Sequence, residues 1–102
     1  MLPRQNRYTF KTKLPGQIIN SQSFTIRYAT NNEGLRAAVV VSKKVDKRSV
    51  VRNRIKRQIV EAVRKRLPIE SQFSVVFYAK RNAIDNKNLE DEVEQRLKEI
   101  KN

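Results

Sequence analysis

The sequence predicts an α+β fold: a small two-layer sandwich with a β-β-α-β-α core behind a short N-terminal helix. Three observations carry this reading. Residues 23–42 alternate or run β-branched in two strand-like stretches, residues 49–66 repeat apolar side chains at helical spacing, and Phe73 to Ala79 is aromatic and β-branched ahead of a second amphipathic stretch. At 102 residues and 12.0 kDa the chain reads as one small domain spanning 1–102. Its 38% hydrophobic content suits a single modest core, and a domain of this size buries only about 60–65% of its unfolded surface.

Residues 1–23 are polar and basic, and Pro3 and Pro15-Gly16 limit any helix there to a short one over Gly16 to Ser21. In residues 23–30, Phe24, Ile26 and Tyr28 fall on one face of a strand, with Thr25, Arg27 and Ala29 on the other. Asn31-Asn32-Glu33-Gly34 reads as a turn leading to a second strand over Leu35 to Ser42, the two forming a hairpin. Within it, Val39-Val40-Val41 reads as buried on both faces. The helix of residues 49–66 gathers Val51, Ile55, Ile59, Ala62 and Val63 on one side, and Pro68 ends it. Asp46 or Ser49 serves as its cap. After the third strand comes the loop Arg81-Asn82-Ala83, and then a helix capped by Asn88 with the stripe Leu89, Val93, Leu97 and Ile100. Glu90, Asp91, Glu92 and Glu94 at its start complement the helix dipole.

The charge is concentrated. There are 23 Lys and Arg against 10 Asp and Glu, a net charge of +13 and a pI near 10.7. Residues 1–84 hold net +15, and residues 43–66 alone hold 11 basic side chains against Asp46 and Glu61. A field of that sign and density attracts polyanions, nucleic acid first, with an anionic membrane surface as the rival. Opposite the apolar stripe of residues 49–66 stand Asn53, Arg54, Arg57, Arg64 and Lys65, with Arg52 and Lys56 flanking it. Guanidinium forks suit phosphates and the guanine edge, and a merely solvated helix face would mix Glu with Lys. There is no Cys and no His, which excludes disulfides, thiolate and imidazole metal sites, and Cys- or His-based catalysis. The missing Cys fits a cytoplasmic protein, Met1-Leu2-Pro3-Arg4 does not open a signal peptide, and no apolar run approaches the roughly 20 residues of a membrane helix. On charge alone, a general RNA-binding or ribosome-associated basic protein and a DNA-binding module both remain open.

The stretch Val41-Ser42-Lys43-Lys44-Val45-Asp46-Lys47-Arg48-Ser49-Val50-Val51-Arg52-Asn53-Arg54-Ile55-Lys56-Arg57 closely resembles the signature of the bacterial ribonuclease P protein subunit. In that family a strand ending V-S-K-K-V leads into a helix bearing R-N-R-x-K-R. Met1-Leu2-Pro3 with Asn6-Arg7 is similar to the family's start, and Phe73 to Arg81 resembles its penultimate strand and following basic residue. Asp46-Lys47-Arg48-Ser49 stands where the family generally has Gly and Ala. The region Tyr8 to Asn20 is shorter than the family's first helix and is interrupted by Pro15-Gly16.

The resemblance implies a sandwich with a left-handed strand–helix–strand crossover, against the usual rule. It implies a protein that binds a large catalytic RNA and the 5′ leader of precursor tRNA, assisting endonucleolytic removal of that leader. Magnesium is then held by the RNA, which performs the hydrolysis. The protein needs no catalytic residue, no cofactor, no membrane and no obligate protein partner. Carried over by position, Arg52, Asn53, Arg54, Lys56 and Arg57 contact the catalytic RNA, with Lys43, Lys44 and Arg64 as helpers. Candidates for the leader cleft are Tyr28, Tyr78, Phe10, Tyr8, Arg27 and Lys80, as stacking rings and cations. Phe24, Phe73 and Phe77 are expected in the core instead.

Overall fold

The computed structural model describes residues 16–31, 34–66 and 72–100. The elements run β1 (Gln17–Asn20), β2 (Phe24–Thr30), β3 (Arg36–Val40), α1 (Ser49–Arg66), β4 (Phe73–Ala79), a 3-10 turn (Arg81–Ala83) and α2 (Leu89–Leu97). The strands form one sheet in the order β1-β2-β4-β3. This is the α+β architecture expected, with two helices on one side of a small sheet. Pro3, Tyr8, Phe10, Pro15, Asn32, Glu33 and Pro68 lie outside the described residues, so the readings placed on them have no counterpart below.

The strands themselves are where the alternation puts them, but the expected hairpin between β2 and β3 does not form. β2 pairs antiparallel with β1 and with β4, while β3 lies on the far side of β4 and runs parallel to it. The reason is visible in β4, where Phe73, Val75, Val76 and Phe77 are all buried. A strand buried on both faces belongs in the middle of a sheet, where both its edges find partners. Asn31 shows how the chain is diverted. Its N–H donates to the Gln72 carbonyl at 2.9 Å and its Nδ2 donates to Ser74 Oγ at 2.8 Å, tying the end of β2 to the start of β4. Gly34 then takes a positive φ of 88° as the chain leaves for β3.

Two further expectations are corrected. Gly16 to Ser21 is not helical: Gln17–Asn20 is strand β1, turned into β2 through Ser21-Gln22-Ser23, with the Ser21 N–H on the Phe24 carbonyl at 2.9 Å. Six residues, opened by a glycine, make a marginal helix on their own, and the β-branched pair Ile18-Ile19 suits a pleated edge. Val39 and Val40 are only half-buried because β3 is an edge strand; of that run Val41 alone is buried.

One face of the sheet carries Ile19, Phe24, Ile26, Tyr28, Ala37, Val39, Phe73, Val75, Phe77 and Ala79, which meet both helices in a single cluster. Phe24 and Phe77 sit side by side there with ring centroids 5.7 Å apart, tilted by 58°. From α1 come Val51, Ile55, Ile59, Ala62 and Val63, as the helical spacing predicts. From α2 come Leu89, Val93 and Leu97, with Ile100 packed against them. The other face presents Thr25, Arg27, Arg36, Val40, Val76 and Tyr78 by alternation along the paired strands.

The helix starts differ from the expected caps. Asn88 occupies the N-cap position of α2, yet its side chain makes no capping bond; instead Asn86 Oδ1 accepts the Asn88 N–H at 2.8 Å. Ahead of α1, Asp46 Oδ1 accepts the Arg48 N–H at 2.8 Å, and the Arg48 carbonyl receives the Arg52 N–H at 3.2 Å.

Candidate nucleic-acid interface

The exposed side of α1 is basic because its buried side uses up the apolar residues at 51, 55, 59, 62 and 63. Arg52 is half-buried, while Asn53, Arg54, Lys56, Arg57, Arg64 and Lys65 are exposed. No acid stands in the first turn of α1, so nothing on the helix itself offsets the positive end of its dipole. Val50 is 76% exposed among these polar neighbours.

The five R-N-R-x-K-R side chains fall into two groups. Two are tied to the backbone of neighbouring segments. Arg52 Nη1 donates to the carbonyls of Asp46 (3.0 Å) and Lys47 (2.8 Å), and Arg54 Nη2 donates to the Ile84 carbonyl at 2.8 Å. The other three, Asn53, Lys56 and Arg57, make no side-chain hydrogen bond or ion pair among the described residues. They are positioned by the helix alone and keep every donor available.

Lys43, Lys44 and Lys47 lie in the loop leading into α1 and are likewise exposed. The loop is folded on itself: the Val45 N–H meets the Ser42 carbonyl at 3.0 Å, and Val45 is buried. Arg48 forks onto Asp46, Nε to Oδ1 at 3.0 Å and Nη2 to Oδ2 at 2.8 Å. The Arg48 side-chain hydrogen bond, then its backbone N–H, holds the Asp46 carboxyl down at about 2, and the same contact raises Arg48. Asp46 therefore stays ionised and spends its charge on Arg48, leaving the three lysines unopposed.

Arg64 stands two turns beyond Arg57, about 10 Å along the axis. It is paired with Glu61 at 3.0 Å, so it belongs to a partly neutralised end of the face. Lys65 reaches Glu90 of α2 at 3.7 Å.

The leader candidates do not share one surface. Arg27 and Tyr78 lie on the face away from the helices, close neighbours on adjacent strands because Thr25 pairs with Tyr78 and Arg27 with Val76. Tyr28 points to the opposite, helix-bearing face and packs partly buried against the core. Lys80 sits just past β4, where its Nζ donates to the Ser21 carbonyl at 2.8 Å. Phe24, Phe73 and Phe77 are buried, as expected.

Arg81, read from the sequence as a loop residue ending the likeness of Phe73 to Arg81, is not among the candidate RNA contacts. Its Nε donates to the Lys44 carbonyl at 3.2 Å. The signal for it is topological: Val40 pairs with Tyr78 in parallel, so the residues following each strand run side by side. Seeing this required the parallel β3–β4 pairing, which the hairpin reading hid.

A second polar cluster lies at the same end of β4, on its β2 side, where Phe24 pairs with Ala79 and the Lys80 N–H donates to the Ser23 carbonyl at 2.8 Å. Glu92 of α2 accepts hydrogen bonds from the Ser21 hydroxyl, the Ser23 N–H (3.1 Å), the Ser23 hydroxyl (3.0 Å) and Asn86 Nδ2 (2.8 Å). Burial pushes its carboxyl up, but the bonds from Ser21, Ser23 and Asn86 outweigh this and leave it below the usual carboxylate value. Arg96 Nε also donates to Ser21 Oγ at 3.2 Å. Among the described residues no group of three or more acids stands together to hold a metal ion, and no helix is long and apolar enough to cross a membrane.

Comparison with known proteins agrees with the signature. The family profile described as Ribonuclease P matches residues 4–101. The ribonuclease P protein component of Nostoc punctiforme is 39% identical over 67 residues, covering 65% of this chain and 48% of that protein, so the chain spans about half the length of this curated relative. Among solved structures, the RNase P protein of Staphylococcus aureus superposes with a TM-score of 0.71 at 26% identity, covering 81% of this chain and 79% of that one. The RNase P protein of Thermotoga maritima gives a TM-score of 0.72 at 21% identity over 85% and 86% of the two chains, a likeness of fold. With its family profile matched almost end to end and its sandwich shared with these structures, the chain belongs to the family of ribonuclease P protein components.

Proposed function

We propose that this chain is the protein subunit of a ribonuclease P, binding the catalytic RNA through α1 and the loop before it. The observation that supports this best is the row of unpaired donors Asn53, Lys56 and Arg57, on a helix whose one acid is Glu61. Phosphates of a folded RNA would replace the counterions around this face, giving a strongly salt-dependent affinity. Arg27 and Tyr78, on the sheet face away from the helices, are the described candidates for contact with a single-stranded 5′ leader. In this reading the protein clamps catalytic RNA and precursor tRNA in the cytoplasm, and the magnesium and the hydrolysis belong to the RNA. The protein's contribution is charge and position, since it offers no His, no Cys and no assembled carboxylate cage among the described residues.

The test is reconstitution with a bacterial ribonuclease P RNA at low magnesium, where RNA alone cleaves poorly. Restored 5′-leader removal from a precursor tRNA is the expected result. Tight binding to unrelated RNAs with no stimulation of cleavage would instead mark a general RNA-binding protein of the same fold.

A further inference from the structure

β3 and β4 run parallel, so the loop after β3 and the 3-10 turn after β4 leave the sheet side by side, next to the start of α1. Three arginines stitch these segments together through backbone carbonyls. Arg81, in the turn, holds the Lys44 carbonyl; Arg52, in the helix, holds the carbonyls of Asp46 and Lys47; and Arg54 holds Ile84, just past the turn. The loop is thus gripped from both sides, and its two grips are themselves tied to each other.

Such stitching opposes a specific force. The loop carries Lys43, Lys44 and Lys47 beside a helix N-terminus with no acid in its first turn and a run of Arg and Lys behind it. Like charges and the positive end of the dipole push these lysines outward. Asp46, whose carboxylate is engaged by Arg48, is the sole acid in the loop to counter this. A carbonyl accepts a guanidinium hydrogen bond without neutralising its charge. These contacts therefore fix the loop and leave the field intact.

We infer that Arg81 is a positioning residue for RNA binding, acting with Arg52 and Arg54: it sets where Lys43, Lys44 and Lys47 stand relative to Asn53, Lys56 and Arg57. This rests on the proposed function, since it concerns the same RNA-binding surface. A loop fixed before binding loses less conformational entropy when the RNA docks, and all its cations arrive in register.

Glutamine separates the two ways Arg81 could matter. The Nε2 of Gln occupies the same place along the side chain as the Nε of Arg, so Arg81→Gln keeps the donor to Lys44 and removes the charge, whereas Arg81→Ala removes both. Affinity of the full chain for a bacterial ribonuclease P RNA is measured across a salt series, with thermal unfolding as the check on folding. Arg81→Ala is expected to weaken binding by about threefold to thirtyfold, the range for groups coupled in one network, with a shallower salt dependence. Arg81→Gln is expected to rescue most of that loss and restore the slope. In a Lys43→Ala, Lys44→Ala, Lys47→Ala background, adding Arg81→Ala is expected to cost nothing more. Equal losses for Arg81→Ala and Arg81→Gln would overturn the inference and make Arg81 a direct phosphate contact. Wild-type affinity for both would overturn it as well. Should Arg81→Ala unfold, Arg81→Met, which keeps the aliphatic stem and removes both the donor and the charge, takes its place in the comparison with the same expected outcomes. Failure of the unsubstituted chain to bind this RNA in preference to unrelated RNA would instead sink the proposed function.

Discussion

Two polar clusters pin loops to helices in this molecule, and they do so with opposite electrostatics. At the β1–β2 turn, the Glu92 carboxylate collects hydrogen bonds from Ser21, Ser23 and Asn86, with Arg96 and Lys80 on Ser21 beside it. Its charge is wrapped in donors and balanced by nearby cations. At the start of α1, the tied groups are the cations Arg52, Arg54 and Arg81, and their acceptors are neutral carbonyls. Hydrogen bonds fix geometry in both places, but only the second leaves net charge pointing outward. The clasp around Glu92 holds the fold together; in the proposed function, the platform around α1 holds a polyanion. A surface ion pair count would have missed this distinction, since the described pairs at either end of α1 are few and their cations exposed.

If the clasp serves stability alone, Glu92→Gln should destabilise the fold by about 2 kcal/mol, because an amide nitrogen now faces donors that need an acceptor. For a domain of this size that is roughly a 10 °C fall in melting temperature, with RNA affinity per folded molecule unchanged. The same contact gives the wild type an acid sensitivity whose sign follows from the lowered carboxyl. Its contribution is complete above the ordinary value of 4.5 and is lost as pH falls through the folded-state value beneath it. Asp46, lowered from 3.8 to about 2, contributes in the same direction, fully above 3.8 and lost as pH falls towards 2. The smallest effect belongs to the partly neutralised end of α1. Arg64→Ala removes an exposed pair with Glu61, and stability should move by less than about 0.5 kcal/mol. Its effect on RNA affinity should be smaller than that of Lys56→Ala or Arg57→Ala, since its charge is shared with Glu61.

Much of this was legible in the sequence, and the boundary of legibility is physical. The spacing of Val51, Ile55, Ile59, Ala62 and Val63 marks the buried side of α1 because helical periodicity is a local property. The alternation in Phe24–Thr30 and the apolar run of Phe73–Ala79 are local for the same reason. Strand pairing is not. Which edge β4 offers to β2 and which to β3 depends on how much of each strand is buried across the whole sheet, and the nearer pairing in sequence was the wrong one. That one nonlocal fact concealed that the segments after β3 and β4 leave the sheet side by side, and with it the contact of Arg81 with Lys44. That Tyr28 shares the core face with Phe24 while Tyr78 lies opposite Phe77 follows from alternation alone, so their opposite facing was legible locally. Helix α1 was readable from its motif; the division of its side chains into tied and free was not, because Arg52 and Arg54 find their partners in other segments.

The central claim is that the unpaired donors of α1 carry the RNA, and the salt dependence of binding tests it most directly. Affinity for a bacterial ribonuclease P RNA, measured from low to moderate salt, should fall steeply for the wild type. With Lys56→Ala and Arg57→Ala together the slope should drop by about 1.5, the loss of two phosphate contacts, while thermal stability stays within about 0.5 kcal/mol. An unchanged slope and affinity in that variant would place the RNA on another face of the molecule and contradict the account.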